Sequence, residues 1–194
     1  MGTEHETGFE PATGDGPATP VPDPGRAASV RTAFEGMLQI RRLTNTDHAD
    51  PAGVPAPWET HRPVRAVAIA LEASGLTASA VDESGSRTAT GYRLERGEAP
   101  GGVRVEWLGP PGSGAAHSEA DGLNRCAEVL RELGWTVLLY RGARRRRFLE
   151  VEPPPGVRRP ASERPLAEVH APPRRALSYP WGMLVRPTPL TGRR

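Results

Sequence analysis

Apolar side chains recur along this chain at two spacings. Over residues 30–43, Val30, Ala33, Phe34, Met37, Leu38 and Leu43 fall near the i, i+3, i+4, i+7 spacing of one buried helix face. Arg31, Glu35, Gln39 and Arg42 take the other side, and Ser29 stands where an N-cap is expected. A second helix is predicted from Pro63, which has no N–H to leave unpaired in a first turn. It runs to about Ser74 with Val64, Val67, Ala68 and Leu71 inward and Gly75 just past its end. A third is predicted over 119–133, with Leu123, Ala127, Leu130 and Leu133 as its stripe and Ser118 with Asp121 as a capping-box-like start. Elsewhere the period falls to two, predicting strands over 76–82, 88–96, 102–108, 135–140 and 146–152. In the third of these Val103, Val105 and Trp107 alternate with Arg104 and Glu106, so one face is buried and one wet. WTVLLY, 135–140, is apolar on both faces, the pattern of a central strand. Leu149 and Val151 face inward from the last strand.

Two segments read as one unit written twice. VAIALEASGLT (67–77) and CAEVLRELGWT (126–136) align at an offset of 59 residues, matching Ala68 to Ala127, Leu71 to Leu130, Gly75 to Gly134 and Thr77 to Thr136. In each, a striped helix stops at glycine and a β-prone run follows. The fold class is therefore α+β: helices packed on one face of an antiparallel sheet, in the order α-αβββ-αββ. The αβββαββ order of residues 63–152 resembles the type III secretion chaperone-like fold, a family of small adaptors that bind other polypeptides. That resemblance implies a binding role, although the family's acidic character is missing here.

Composition places the ends apart from this body. Hydrophobic content is 37% and mean hydropathy −0.50, yet fifteen of the 22 prolines fall in residues 1–28 and 153–194. Residues 1–28, with five acidic residues, five prolines and one arginine, bury too little to offset chain entropy and are expected to be a disordered acidic tail. Residues 153–194, with ten prolines, eight arginines and two glutamates, form a mostly disordered basic tail. Between them, residues 29–152 form one domain: helix 30–43, connector 44–62, αβββ 63–108, linker 109–117 and αββ 118–152. Its 16 arginines balance 16 acidic residues. Trp58 is expected to dock on the core and pin the proline-rich connector.

All 25 basic residues are arginine, a bias that suits a GC-rich, actinomycete-like genome better than any chemistry. Cys126, the single cysteine, falls on an apolar helix face as a small buried hydrophobe, which excludes an intrachain disulfide framework. The N-terminus has no apolar signal-like stretch, and no apolar run approaches the ~20 residues that span a bilayer. A cytoplasmic location without membrane contact is expected.

Candidate chemistry is thin. GPPGSG, 109–114, matches the glycine pattern of a phosphate-binding loop between strand and helix. Where Lys and Ser/Thr must reach phosphate and Mg²⁺, however, stand Ala115 and Ala116. A flexible crossover is the better reading. Asp47, His48, Asp50 and His61 lack the fixed local spacing of zinc ligands and suit turn-making after a helix end. No nucleophile motif is present. No cofactor, metal or catalytic residue is therefore expected.

Two segments remain as binding candidates. Arg141, Arg144, Arg145, Arg146 and Arg147 place five guanidiniums in one hairpin, a local positive potential able to hold phosphate oxygens or an acidic peptide. In the basic tail, ALSYPWGMLVRP (176–187) clusters Tyr179, Trp181, Met183 and Leu184, apolar anchors that dock either on their own domain or on a partner. The expectation is a non-enzymatic adaptor that binds another protein. The alternative is a nucleic-acid-associated protein using the Arg141–Arg147 hairpin and the basic tail. Helix 30–43, with one apolar face and a long connector, leaves room for a homodimer by exchange.

Overall fold

The computed structural model describes residues 9–19, 23–142 and 146–155. The architecture is α+β. Four strands form an antiparallel sheet in the spatial order 91–96, 103–108, 147–152 and 136–141, with helices on one face and a small two-stranded ladder, 80–81 with 87–89, beside it. In chain order the elements are α1 (Pro24–Thr44), a 3-10 turn (Pro51–Gly53), α2 (Pro57–His61), α3 (Pro63–Ala73), β1 (Ala80–Val81), β2 (Arg87–Ala89), β3 (Gly91–Arg96), β4 (Val103–Leu108), α4 (Ala115–Glu132), β5 (Thr136–Arg141) and β6 (Arg147–Glu152).

Two helix starts differ from the expected ones. The cap of α1 is Asp23, whose carboxylate accepts the Arg26 N–H at 2.9 Å, with Pro24 in the first turn; Ser29 lies inside the helix and donates to the Gly25 carbonyl. Asp followed by Pro is a stronger start signal than Ser29, and Ala27 and Ala28 carry the helix forward. α4 begins at Ala115, directly after Gly114 at φ +75°, because Ala115 and Ala116 are strong helix formers. Ser118, expected as the cap, instead accepts the Trp107 indole N–H at 3.1 Å.

The first strand predicted, 76–82, contracts to Ala80–Val81 with a parallel bridge from Ala78 to Tyr92, and the second divides at Thr90 into β2 and β3. Within residues 1–28, positions 9–19 have a place beside β3. Leu94 N–H donates to the Thr13 carbonyl (2.7 Å), Val81 N–H to the Gly16 carbonyl (2.9 Å), and Asp15 pairs with Arg87 and Arg93. Main-chain bonds and ion pairs hold this segment, together with buried Pro11. Thr13 meets the β3 edge at Leu94, and Thr77 and Ser79 meet it at Tyr92.

The core lies between the sheet and α3 and α4. Tyr92, Val103, Val105, Leu149 and Val151 meet Leu71 and Leu130. The opposite sheet face is ionic: Arg93 bridges Asp15 and Glu106, and Arg104 reaches Glu95, Glu98 and Glu150. On α1, Val30 and Met37 are buried as expected, but Leu43 faces solvent and Arg41 takes a core position. Arg41 is fully buried. It grips Glu59 of α2 with two bonds of 2.7 Å and the carbonyls of Ala52 and Leu133 at 2.9 and 2.8 Å. Glu59 in turn caps the Ala56 N–H. One guanidinium thus ties α1, the connector, α2 and the end of α4 together. Trp58 packs on the same core.

The duplicated segments end their helices identically. Gly75 N–H donates to Glu72 O and Leu76 N–H to Leu71 O; at the equivalent positions Gly134 donates to Arg131 O and Trp135 to Leu130 O. Both glycines have φ near +80° (+75° and +81°), completing a Schellman turn. Beyond the turn the copies diverge. Thr136 enters a six-residue antiparallel strand, whereas the chain after Leu76 makes only the bridge at Ala78 before β1. No helix among the described residues is long and apolar enough to cross a membrane.

Candidate functional site

The sequence-derived candidates are only partly within the described residues. Tyr179, Trp181, Met183 and Leu184 lie outside them, as do Arg144 and Arg145. Arg141 ends β5 and is exposed, Arg146 is exposed in the hairpin, and Arg147 is half-buried at the start of β6, directly opposite Arg141. The described arginines therefore share one end of the sheet, with two like charges facing across strands, an arrangement that costs stability.

The largest departure from expectation is β5. Its two-sided apolar pattern predicts a central strand, yet it is the edge. Chain order explains why. β6 returns from the hairpin to insert between β4 and β5, leaving β5 with one neighbour among the described residues. Val137 is still buried under α4, but Leu138, Leu139 and Tyr140 are 42, 51 and 46% exposed. The register sets Leu138 and Tyr140 on the ionic face, beside Glu150 and Phe148, and Leu139 on the helix face. Tyr140 stacks on Phe148 (centroids 5.7 Å, planes 18° apart), and the Arg104 guanidinium lies 4.1 Å from the Phe148 centroid. A long, apolar, open edge is a template for another strand. The arginines after it are the sequence signal that marks such an edge, since charge flanking an apolar strand suppresses unwanted pairing.

Other sites offer less chemistry. A cleft of about 920 Å³ lies between residues 10–19, the start of α1 and the end of α3. Two of its ionic groups are paired: Arg26 with Glu72, which also accepts the Ala12 N–H at 3.0 Å. The Tyr92 phenol donates to Ala12 O at 3.2 Å, and burial, with Glu72 nearby, pushes its pKa up. Asp47, His48, Asp50 and His61 are exposed and none of them lines the cleft. No group of three or more His, Cys, Asp or Glu positioned to hold a metal occurs among the described residues. Cys126 is buried, and burial pushes its thiol up to about 12, far from nucleophilic.

The glycine loop is tied by hydrogen bonds at both ends. Ser113 N–H donates to Pro110 O, the Thr90 hydroxyl to the Ser113 hydroxyl, and Gly114 leads straight into α4. Methyl groups stand where a phosphate would need an ammonium and a hydroxyl. No protein-family model, no curated protein and no solved structure matches this chain.

Proposed function

We propose that this chain is a non-enzymatic protein-binding module whose docking element is the open edge of β5. The observation that carries the reading is the run Leu138–Leu139–Tyr140, exposed on both faces of an edge strand while Thr13 and residues 77–79 bond to the opposite edge. Strand addition at such an edge takes affinity from main-chain hydrogen bonds and selectivity from alternate side chains. Here an incoming strand would meet Leu138 and Tyr140 on one face and Leu139 on the other. Nucleic-acid contact through Arg141 and Arg146 is the weaker alternative, because the 16 arginines of residues 29–152 are balanced by 16 acidic residues. A cytoplasmic setting suits the single unpaired thiol of Cys126.

The test is a photo-crosslinking amino acid in place of Tyr140, irradiated in cells of the source organism. The reading expects polypeptide adducts at that position and their loss when Leu139→Pro is added. A crosslinker that captures no polypeptide in the wild-type background refutes it.

A further inference from the structure

The main-chain groups left open on β5 define their own partner. In the hairpin, Gly142 N–H donates to Arg146 O at 2.8 Å, so Gly142 faces β6. At the other end the Arg131 guanidinium donates to Val137 O at 3.2 Å, on the side away from β6. Main-chain groups alternate in direction along an antiparallel strand. Thr136, Leu138, Tyr140 and Gly142 therefore bond to β6, and Val137, Leu139 and Arg141 face outward. Val137's carbonyl being taken by Arg131, the donor and acceptor pairs without a partner among the described residues belong to Leu139 and Arg141.

We propose that a second copy of this chain occupies this edge, β5 against β5, antiparallel, with the two-fold axis at Tyr140. The inference rests on reading β5 as the docking edge and names its occupant. Leu139 and Arg141 are symmetric about Tyr140, so each residue of one copy exchanges hydrogen bonds with the other residue of its partner. A register centred on Leu139 would need the Val137 carbonyl and is opposed by Arg131. The chosen register leaves that contact intact.

Side chains agree with this register. Tyr140 meets its counterpart at a non-hydrogen-bonded position, where α-carbons lie ~4.5 Å apart and side chains are closest. The stack already made by Phe148 and Tyr140 then continues across the axis. Charge agrees as well. The end of β5 is basic, with Arg141, Arg146 and Arg147, whereas at its start Thr136 stands opposite Glu152 of β6 and Val137 is met by Arg131. Antiparallel pairing sets each basic end toward the Glu152 end of the other copy and keeps the two hairpins apart. A parallel arrangement would bring the two arginine hairpins together.

Sedimentation velocity of the full chain over micromolar to millimolar concentrations, joined to cysteine crosslinking, tests the proposal. Wild type is expected to dimerise with rising concentration. Leu139→Pro removes an outward N–H without breaking a bond to β6 and is expected to weaken the dimer by at least about tenfold, with the circular-dichroism melt of the monomer confirming that it folds. Under oxidation Tyr140→Cys is expected to give a covalent dimer, since ~4.5 Å lies within disulfide range; Leu138→Cys is not, because its partner position is Gly142. The buried Cys126 does not compete. A chain that stays monomeric throughout, or a dimer that crosslinks through position 138 or 139 instead of 140, overturns the proposal. A monomer whose photo-crosslinker at position 140 still captures a different polypeptide refutes self-pairing and leaves the binding reading standing. One that captures none refutes both.

Discussion

Replacing Arg41 by alanine tests what holds the helical layer together. Its guanidinium has no exposed surface and makes four hydrogen bonds of 2.7–2.9 Å, two to Glu59 and two to the carbonyls of Ala52 and Leu133. The truncation leaves Glu59, itself fully buried, with only the Ala56 N–H as a described partner, and strands two carbonyls. Breaking a buried pair from one side costs about 3–5 kcal/mol, against a total stability of about 5–15 kcal/mol for a domain. For a body of this size the melting midpoint should fall by roughly 10–20 °C. The double variant Arg41→Met with Glu59→Leu removes both charges and should recover much of that loss, since a buried ion pair exchanged for apolar groups is often near neutral. Thermal melts followed by circular dichroism supply all corners of the cycle. Arg41→Ala melting within about 2 °C of wild type would refute the reasoning. So would a double variant whose loss equals the sum of the two single ones.

The paired Schellman turns give an internal control. Gly134→Ala should destabilise far more than Gly75→Ala in the same melts, because both strain a positive φ, but only at Gly134 would the new Cβ collide with the Gly53 carbonyl. Asp15→Asn should loosen residues 9–19, read as faster amide exchange at Leu94, with a global cost under about 1 kcal/mol because the carboxylate is partly exposed. Burial works to raise the Asp15 pKa, but hydrogen bonds and charge from Arg93 and Arg87 win and hold it below its ordinary value of 3.8. A depressed folded pKa means this contribution is present above about 3.8 and disappears as the pH falls through the lower folded value. Amide exchange at Leu94 that is unchanged by acid in that range would contradict the assignment. Cys126 should resist a thiol reagent at neutral pH and react only on unfolding in denaturant; rapid labelling of the native protein would show that α4 opens.

The α+β class, the three long helices and the inward faces of the strands were legible in the chain, because helix and strand periods record which side of each element is buried. The helix-ending turns were equally legible: Gly75 and Gly134 follow apolar stripes, and a positive φ there needs no distant partner. Long-range contacts were not recorded in that way. Arg41 reads locally as one charge beside another, Arg42, and becomes a core residue only where Glu59, Ala52 and Leu133 converge on it. Nothing in the composition of 9–19 announces its place at the sheet, since main-chain bonds to Val81 and Leu94 and one buried proline, Pro11, hold it. WTVLLY is apolar on both sides in any reading, but strand order alone made it an edge, since β6 returned to the inner position. Local periodicity encodes burial, one residue at a time; neighbourhood within a sheet is decided by how distant segments close on one another, and that closure is what left Leu138, Leu139 and Tyr140 facing outward.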